Sequence, residues 1–165
     1  ANSPPQFENA AGRTYGTEID ANSTSEEFTS LPSGLTQIIV YFENVSWSGT
    51  VTGTVVIGDS GGYETSGYLG DSTQHEGTNV HDATGSTSEW VLRTGNGAGA
   101  GFSGVFVMDL MESSTNTWMQ YHMLISDANS YWVHGAGIKS LSATLDRVKM
   151  SGGTFDAGRF QISYS

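Results

Sequence analysis

Gly104-Val105-Phe106-Val107-Met108-Asp109-Leu110-Met111 reads as a β-strand. Strand side chains alternate between faces, so Val105, Val107, Asp109 and Met111 share one side and Phe106, Met108 and Leu110 the other. Both sides are largely apolar, which predicts a central position in a sheet. Similar short runs lie on either side of it, at 37–42 (QIIVYF), 51–57 (VTGTVVI), 89–93 (EWVLR), 117–125 (TWMQYHMLI), 138–141, 145–150 and 159–164 (RFQISY). Gly, Ser, Asn and Asp punctuate them. No window of a dozen residues keeps an apolar stripe at helical period. The pattern predicts an all-β fold, a jelly-roll-like antiparallel β-sandwich of about eight to ten strands.

Residues 1–12 read as an N-terminal arm or linker, and 13–165 as a single β-sandwich domain. The stretch 70–88 is polar and rich in Gly, Ser and Thr, and is expected to form one long exposed loop. Residues 95–101 (GNGAGAG) suit a flexible turn or a close approach of two backbones.

The 165 residues carry a net charge of -11, which speaks against nucleic-acid or anionic-membrane partners, because both need clustered cations. No apolar run is long enough to span a bilayer, so membrane insertion is not expected. With no cysteine, disulfides and thiolate zinc sites are excluded.

Gly58-Asp59-Ser60-Gly61-Gly62 matches the run around a trypsin-like nucleophile and also G-x-S-x-G. The order of residues argues against catalysis. His75, His81, His122 and His134 all follow Ser60, which removes the protease orders. The strand–turn–helix context of a hydrolase elbow is also missing. The same residues suit a hairpin turn, with Asp59 and Ser60 as acceptors and Gly61 and Gly62 at positive φ.

Other groups of residues permit other chemistry. His75 and His81 share an acidic segment with Asp71, Glu76 and Asp82, but the spacing matches no defined metal site. Asp109, Glu112 and Asp127 are the acids near central strands, and their separation alone would decide a glycosidase reading. His122 is expected to be a packed or edge residue. Trp47, Tyr63, Tyr68, Trp90, Trp118, Tyr131 and Trp132 lie near turns, where they can close a core or stack on sugars. Tyr131, Trp132 and His134 are the candidate carbohydrate-binding residues. No catalytic residue, metal or cofactor is expected.

Several segments resemble those of bacteriophage virion proteins. They are residues 31–46 (LPSGLTQIIVYFENVS), 57–68 (IGDSGGYETSGY), 113–118 (SSTNTW), 139–148 (KSLSATLDRV) and 154–158 (TFDAG). Together they cover somewhat under half of the chain. The similar proteins are tail-fibre, head-fibre or capsid-decoration modules, often of marine phages. The resemblance implies a non-enzymatic β-sandwich on a virion surface that stabilises the particle or attaches it to the host. Its expected partners are other virion proteins, further copies of itself in a homotrimer, and a host surface glycan. A lectin-like carbohydrate-binding domain is the alternative, followed by a polysaccharide-degrading enzyme or esterase.

Overall fold

A computed structural model of the chain describes residues 12–83, 85–96, 99–126 and 131–165. Residues 1–11 of the expected arm lie outside the described residues. In chain order the strands are β1 (Thr14–Tyr15), β2 (Ile19–Asp20), β3 (Glu26–Phe28), β4 (Gln37–Trp47), β5 (Val51–Asp59), β6 (Gly62–Tyr63) and β7 (Leu69–Glu76). They continue as β8 (Asn79–Ala83), β9 (Trp90–Asn96), β10 (Phe102–Glu112), β11 (Thr117–Ser126), β12 (Tyr131–Ser140), β13 (Leu145–Ser151) and β14 (Phe155–Tyr164). One 3-10 turn, Ser113–Thr115, joins β10 to β11.

The strands form an all-β antiparallel sandwich. The larger, nine-stranded sheet runs β1-β14-β4-β10-β11-β12-β7-β8, with β2 also paired to β14. The smaller, five-stranded sheet runs β3-β13-β5-β6, with β9 also paired to β5. As its two apolar faces predict, β10 is central: Phe106 lies opposite Val40 of β4 and His122 of β11.

Between the sheets sits a core of aliphatic and aromatic side chains. Phe160 meets Phe42 edge-on at 4.8 Å and Phe155 at 5.3 Å, and Phe155 reaches Trp47 at 5.2 Å. At the other end, Trp90 of β9 packs against Tyr68 at 5.1 Å and Phe106 at 5.9 Å. Burying each such ring contributes roughly 4–6 kcal/mol of transfer free energy before entropy is counted. Trp90 crosses to the larger sheet because β12 has a glycine there. A Cβ on Gly137 would fall 2.5 Å from the indole Nε1.

Two expectations change. Residues 70–88 are not one long loop: β7 and β8 form a hairpin that closes the larger sheet, turning at Gly77, which takes φ +58°. These strands lack an apolar stripe because their inward positions include Ser72 and Gln74, both buried. Of the run at 138–141, residues 138–140 are the last part of a strand that begins at Tyr131, and Leu141 lies just beyond it. In the glycine-rich stretch, residues 97 and 98 lie outside the described residues. Gly99 has φ +80° and its N–H donates to the Trp47 carbonyl at 3.3 Å, a close backbone approach.

Candidate functional site

The Gly58–Gly62 motif forms the β5–β6 hairpin, in which Asp59 pairs with Gly62 across Ser60 and Gly61. Asp59 Oδ1 accepts from the Gly61 amide at 2.7 Å, and Oδ2 from the Ser142 hydroxyl at 2.8 Å. These bonds, the Ser142 one foremost, hold the carboxyl below its usual range. Gly62 takes φ +132°, whereas Gly61, contrary to expectation, is not at positive φ. Gly58 must lack a side chain, since a Cβ would sit 2.1 Å from the Gly62 carbonyl oxygen.

Two residues past the motif, Glu64 pairs with Lys139, a buried ammonium, and accepts from the Ser142 amide at 2.6 Å. The Tyr68 hydroxyl accepts from the Ile57 amide at 2.8 Å and donates to the Ile57 carbonyl at 3.1 Å. Segments 57–68 and 139–148 are therefore locked together. Ser60 is exposed at the tip, beside Leu31, Ser33 and residues 143–146. All four histidines belong to the nine-stranded sheet, and none lines this depression.

The acids considered for glycosidase chemistry have other partners. Asp109 accepts from Gln37 Nε2 at 2.7 Å, and Glu112 caps the 3-10 turn by accepting from the Ser114 amide at 2.9 Å. Asp127 lies outside the described residues. Among the described residues no group of three or more His, Asp or Glu could hold a metal ion. His75 and Glu76 are consecutive in β7 and point to opposite faces, while His81 approaches Glu76 at 3.6 Å.

The outer face of the nine-stranded sheet is the unusual surface of this molecule. Every large apolar side chain substantially exposed among the described residues lies on it: Tyr15, Leu69, Val80, Met111, Met119, Tyr121, Met123, Ile125 and Trp132. The register sets them in rows. Ile125, Trp132, His75 and Val80 form one row across β11, β12, β7 and β8. Val105, Met123, His134, Thr73 and Asp82 form the next. Val107, Tyr121, Ala136 and Asp71 follow, and then Asp109, Met119, Ile138 and Leu69. Around the last row, Leu69, Met111, Met119, Ala136 and Ile138 line a shallow depression of about 330 Å³.

The smaller sheet presents a contrasting outer face. There Lys149 and Arg147 stand over the Tyr63 ring at 4.2 and 5.7 Å, and Tyr63 donates to Glu27 Oε2 at 3.1 Å.

Of the three candidate carbohydrate residues, the structure brings Trp132 and His134 together and separates Tyr131. Trp132 is 41% exposed and stacks on His75 at 4.3 Å and on His134 at 4.7 Å. The two imidazoles are 5.4 Å apart. An indole sandwiched between them would hold them about 7 Å apart, two van der Waals spacings. Both therefore lie on one side of the indole, and neither covers its other side. Tyr131 points to the opposite sheet face, where its hydroxyl donates to Glu76 Oε1 at 2.9 Å. Trp47, Tyr68, Trp90 and Trp118 are core residues, and Tyr63 serves the smaller sheet.

Sequence reasoning missed most of this face. The signal was the odd-numbered series Met119, Tyr121, Met123 and Ile125, which alternation permits to face outward as readily as inward.

No protein-family model and no curated protein matches this chain. Among solved structures, the crystal structure of the marine PL-14 alginate lyase from Aplysia kurodai is similar at 12% identity. The match covers 87% of this chain and 71% of that one, with a TM-score of 0.32. A likeness that remote carries no weight for fold or function.

Proposed function

We propose that this chain is a virion-surface module that works by contact and not by catalysis. The observation that carries the reading is the contrast between the two outer faces. One is charged and internally paired, and the other, beyond its β14–β4 end where Arg159 pairs with Glu43 and Glu18, gathers the exposed Met, Tyr, Leu, Ile, Val and Trp side chains. Contiguous exposed apolar surface of this kind marks interaction sites. The resemblance of segments 31–46, 57–68 and 139–148 to phage virion proteins supplies the location, and the latter two segments are the locked pair that braces the sandwich. Partners in this reading are neighbouring virion proteins, other copies of the chain and the host surface, including its glycans. A -11 charge suits a repeated surface module, since it keeps a crowded particle soluble.

The test is mass spectrometry of purified particles of the phage that encodes the chain. Stoichiometric recovery with the intact particle is the expected result. Recovery only from the soluble lysate of infected cells would refute a virion module.

A further inference from the structure

We propose that a second copy of this chain covers the outer face of the nine-stranded sheet, forming a two-fold dimer. Eight large apolar side chains on strands β7, β8, β10, β11 and β12 are between 40% and 71% exposed. Their exposed area is several hundred Å², on the order of the ~800 Å² that each partner buries in a standard interface. Scattered surface hydrophobics need no explanation, but here they share a single face.

The chemistry of the face selects its occupant. Neither Lys nor Arg projects from this part of the sheet, because Lys139 of β12 turns inward to Glu64. An anionic polymer therefore has nothing to bind. A glycan needs several convergent polar groups beside a ring, but the cross-strand neighbours of Tyr121 are Val107 and Ala136, and those of Met123 are Val105 and His134, of which His134 alone is polar. The acids of the face are already engaged: Asp82 accepts from Thr73, Asp71 from the Ser72 amide and Asp109 from Gln37. The occupant is an apolar surface of matching breadth, and among the described residues the chain presents one such surface, this one.

A single self-complementary patch closes a two-fold pair, whereas a three-fold ring needs two different patches. The dimer therefore departs from the homotrimer that the resemblance implies. Sheets packed face to face lie about 10 Å apart with interdigitating side chains. The methionines adapt to that packing, and Tyr121 and Trp132 are the anchors.

The experiment is sedimentation velocity on the 165-residue chain up to roughly 100 µM, with Met123→Glu, Tyr121→Glu and Lys149→Glu beside the parent. The parent is expected to be a dimer. Met123→Glu and Tyr121→Glu each raise the dissociation constant by at least ~100-fold, because the two-fold buries two unpaired carboxylates. Lys149→Glu, on the opposite sheet, leaves it unchanged. Thermal melting identifies any variant that fails to fold, and the other outer-face variant then carries the test. A monomeric parent overturns the proposal, as does an assembly indifferent to both outer-face substitutions, or saturable glycan binding lost on Trp132→Ala by a monomer. The virion reading stands or falls separately, on recovery from particles.

Discussion

His122 sits on the inward face of β11, where its Nδ1 lies 3.1 Å from Gln120 Oε1 and its ring stacks near Phe106 at 6.2 Å. Its pKa is lowered to about 4; burial is the main cause, the Leu92 backbone opposes it and His134 adds to it. The imidazole is therefore neutral in the folded protein at pH 7. In the unfolded chain it titrates near 6.5. Between these values the unfolded state binds more protons, so stability rises with pH across the window. The contribution is complete above about pH 6.5, falls as the pH drops toward 4, and is on the order of 3 kcal/mol. His122→Gln keeps a polar group but removes the titration. Its melting temperature should change less than the parent's between pH 4 and 6.5. Parallel melting curves for the two proteins would show that His122 is not the group responsible.

At the scale of elements, β11 explains what the sequence conceals. Its residues alternate, but the inward set is Trp118, Gln120, His122, Leu124 and Ser126, and the outward set is Met119, Tyr121, Met123 and Ile125. Binary patterning would choose the opposite orientation. Trp118 and Leu124 hold the strand as it is, and β12 leaves room for the polar pair. Gly135 lies opposite His122, and a Cβ there would come within 2.5 Å of the His122 Cε1. Strands such as β4 and β10 were legible because each contains an unbroken apolar run, 38–42 and 105–108. By contrast, β7 and β8 were not, because Ser72 and Gln74 are inward residues that no hydrophobicity pattern flags. The hairpin at Gly58–Gly62 was readable from turn chemistry, but the ties of Asp59 to Ser142 and of Glu64 to Lys139 and Ser142 join residues more than seventy positions apart. Of the candidate site, Trp132 and His134 were legible as a nearby polar-aromatic pair, and His75 joined them only through the β7–β12 register.

Strand β12 supplies a second prediction. Gly137→Ala places a methyl group against the Trp90 indole and 2.7 Å from the Leu69 carbonyl oxygen. Relief requires Trp90 or β7 to move in a packed interior, at a cost of about 1–3 kcal/mol. Urea unfolding should show a lower midpoint with little change in slope. An unchanged midpoint would mean that Trp90 does not depend on that glycine for its seat.

For the molecule as a whole, charge and apolar surface act in opposite directions. Each copy carries -11 charges, so two copies repel as they approach. The face that joins them carries three carboxylates, Asp71, Asp82 and Asp109, each hydrogen-bonded to a neutral donor, and the attraction there is apolar. The two forces respond differently to salt. Screening shortens from about 30 Å at 0.01 M to about 10 Å at 0.1 M and weakens the repulsion. Apolar contact is not screened, and sulfate strengthens it. Dimerisation should therefore tighten as salt rises, with the dissociation constant falling roughly tenfold between ~10 and ~500 mM NaCl. Sedimentation equilibrium across that series measures it directly. A constant that rose with salt would place ion pairs at the contact. That would move the interface off the Met119–Tyr121–Met123 rows and onto a charged surface, either the smaller sheet with Arg147, Lys149 and Glu27 or the β14–β4 end with Arg159, Glu43 and Glu18.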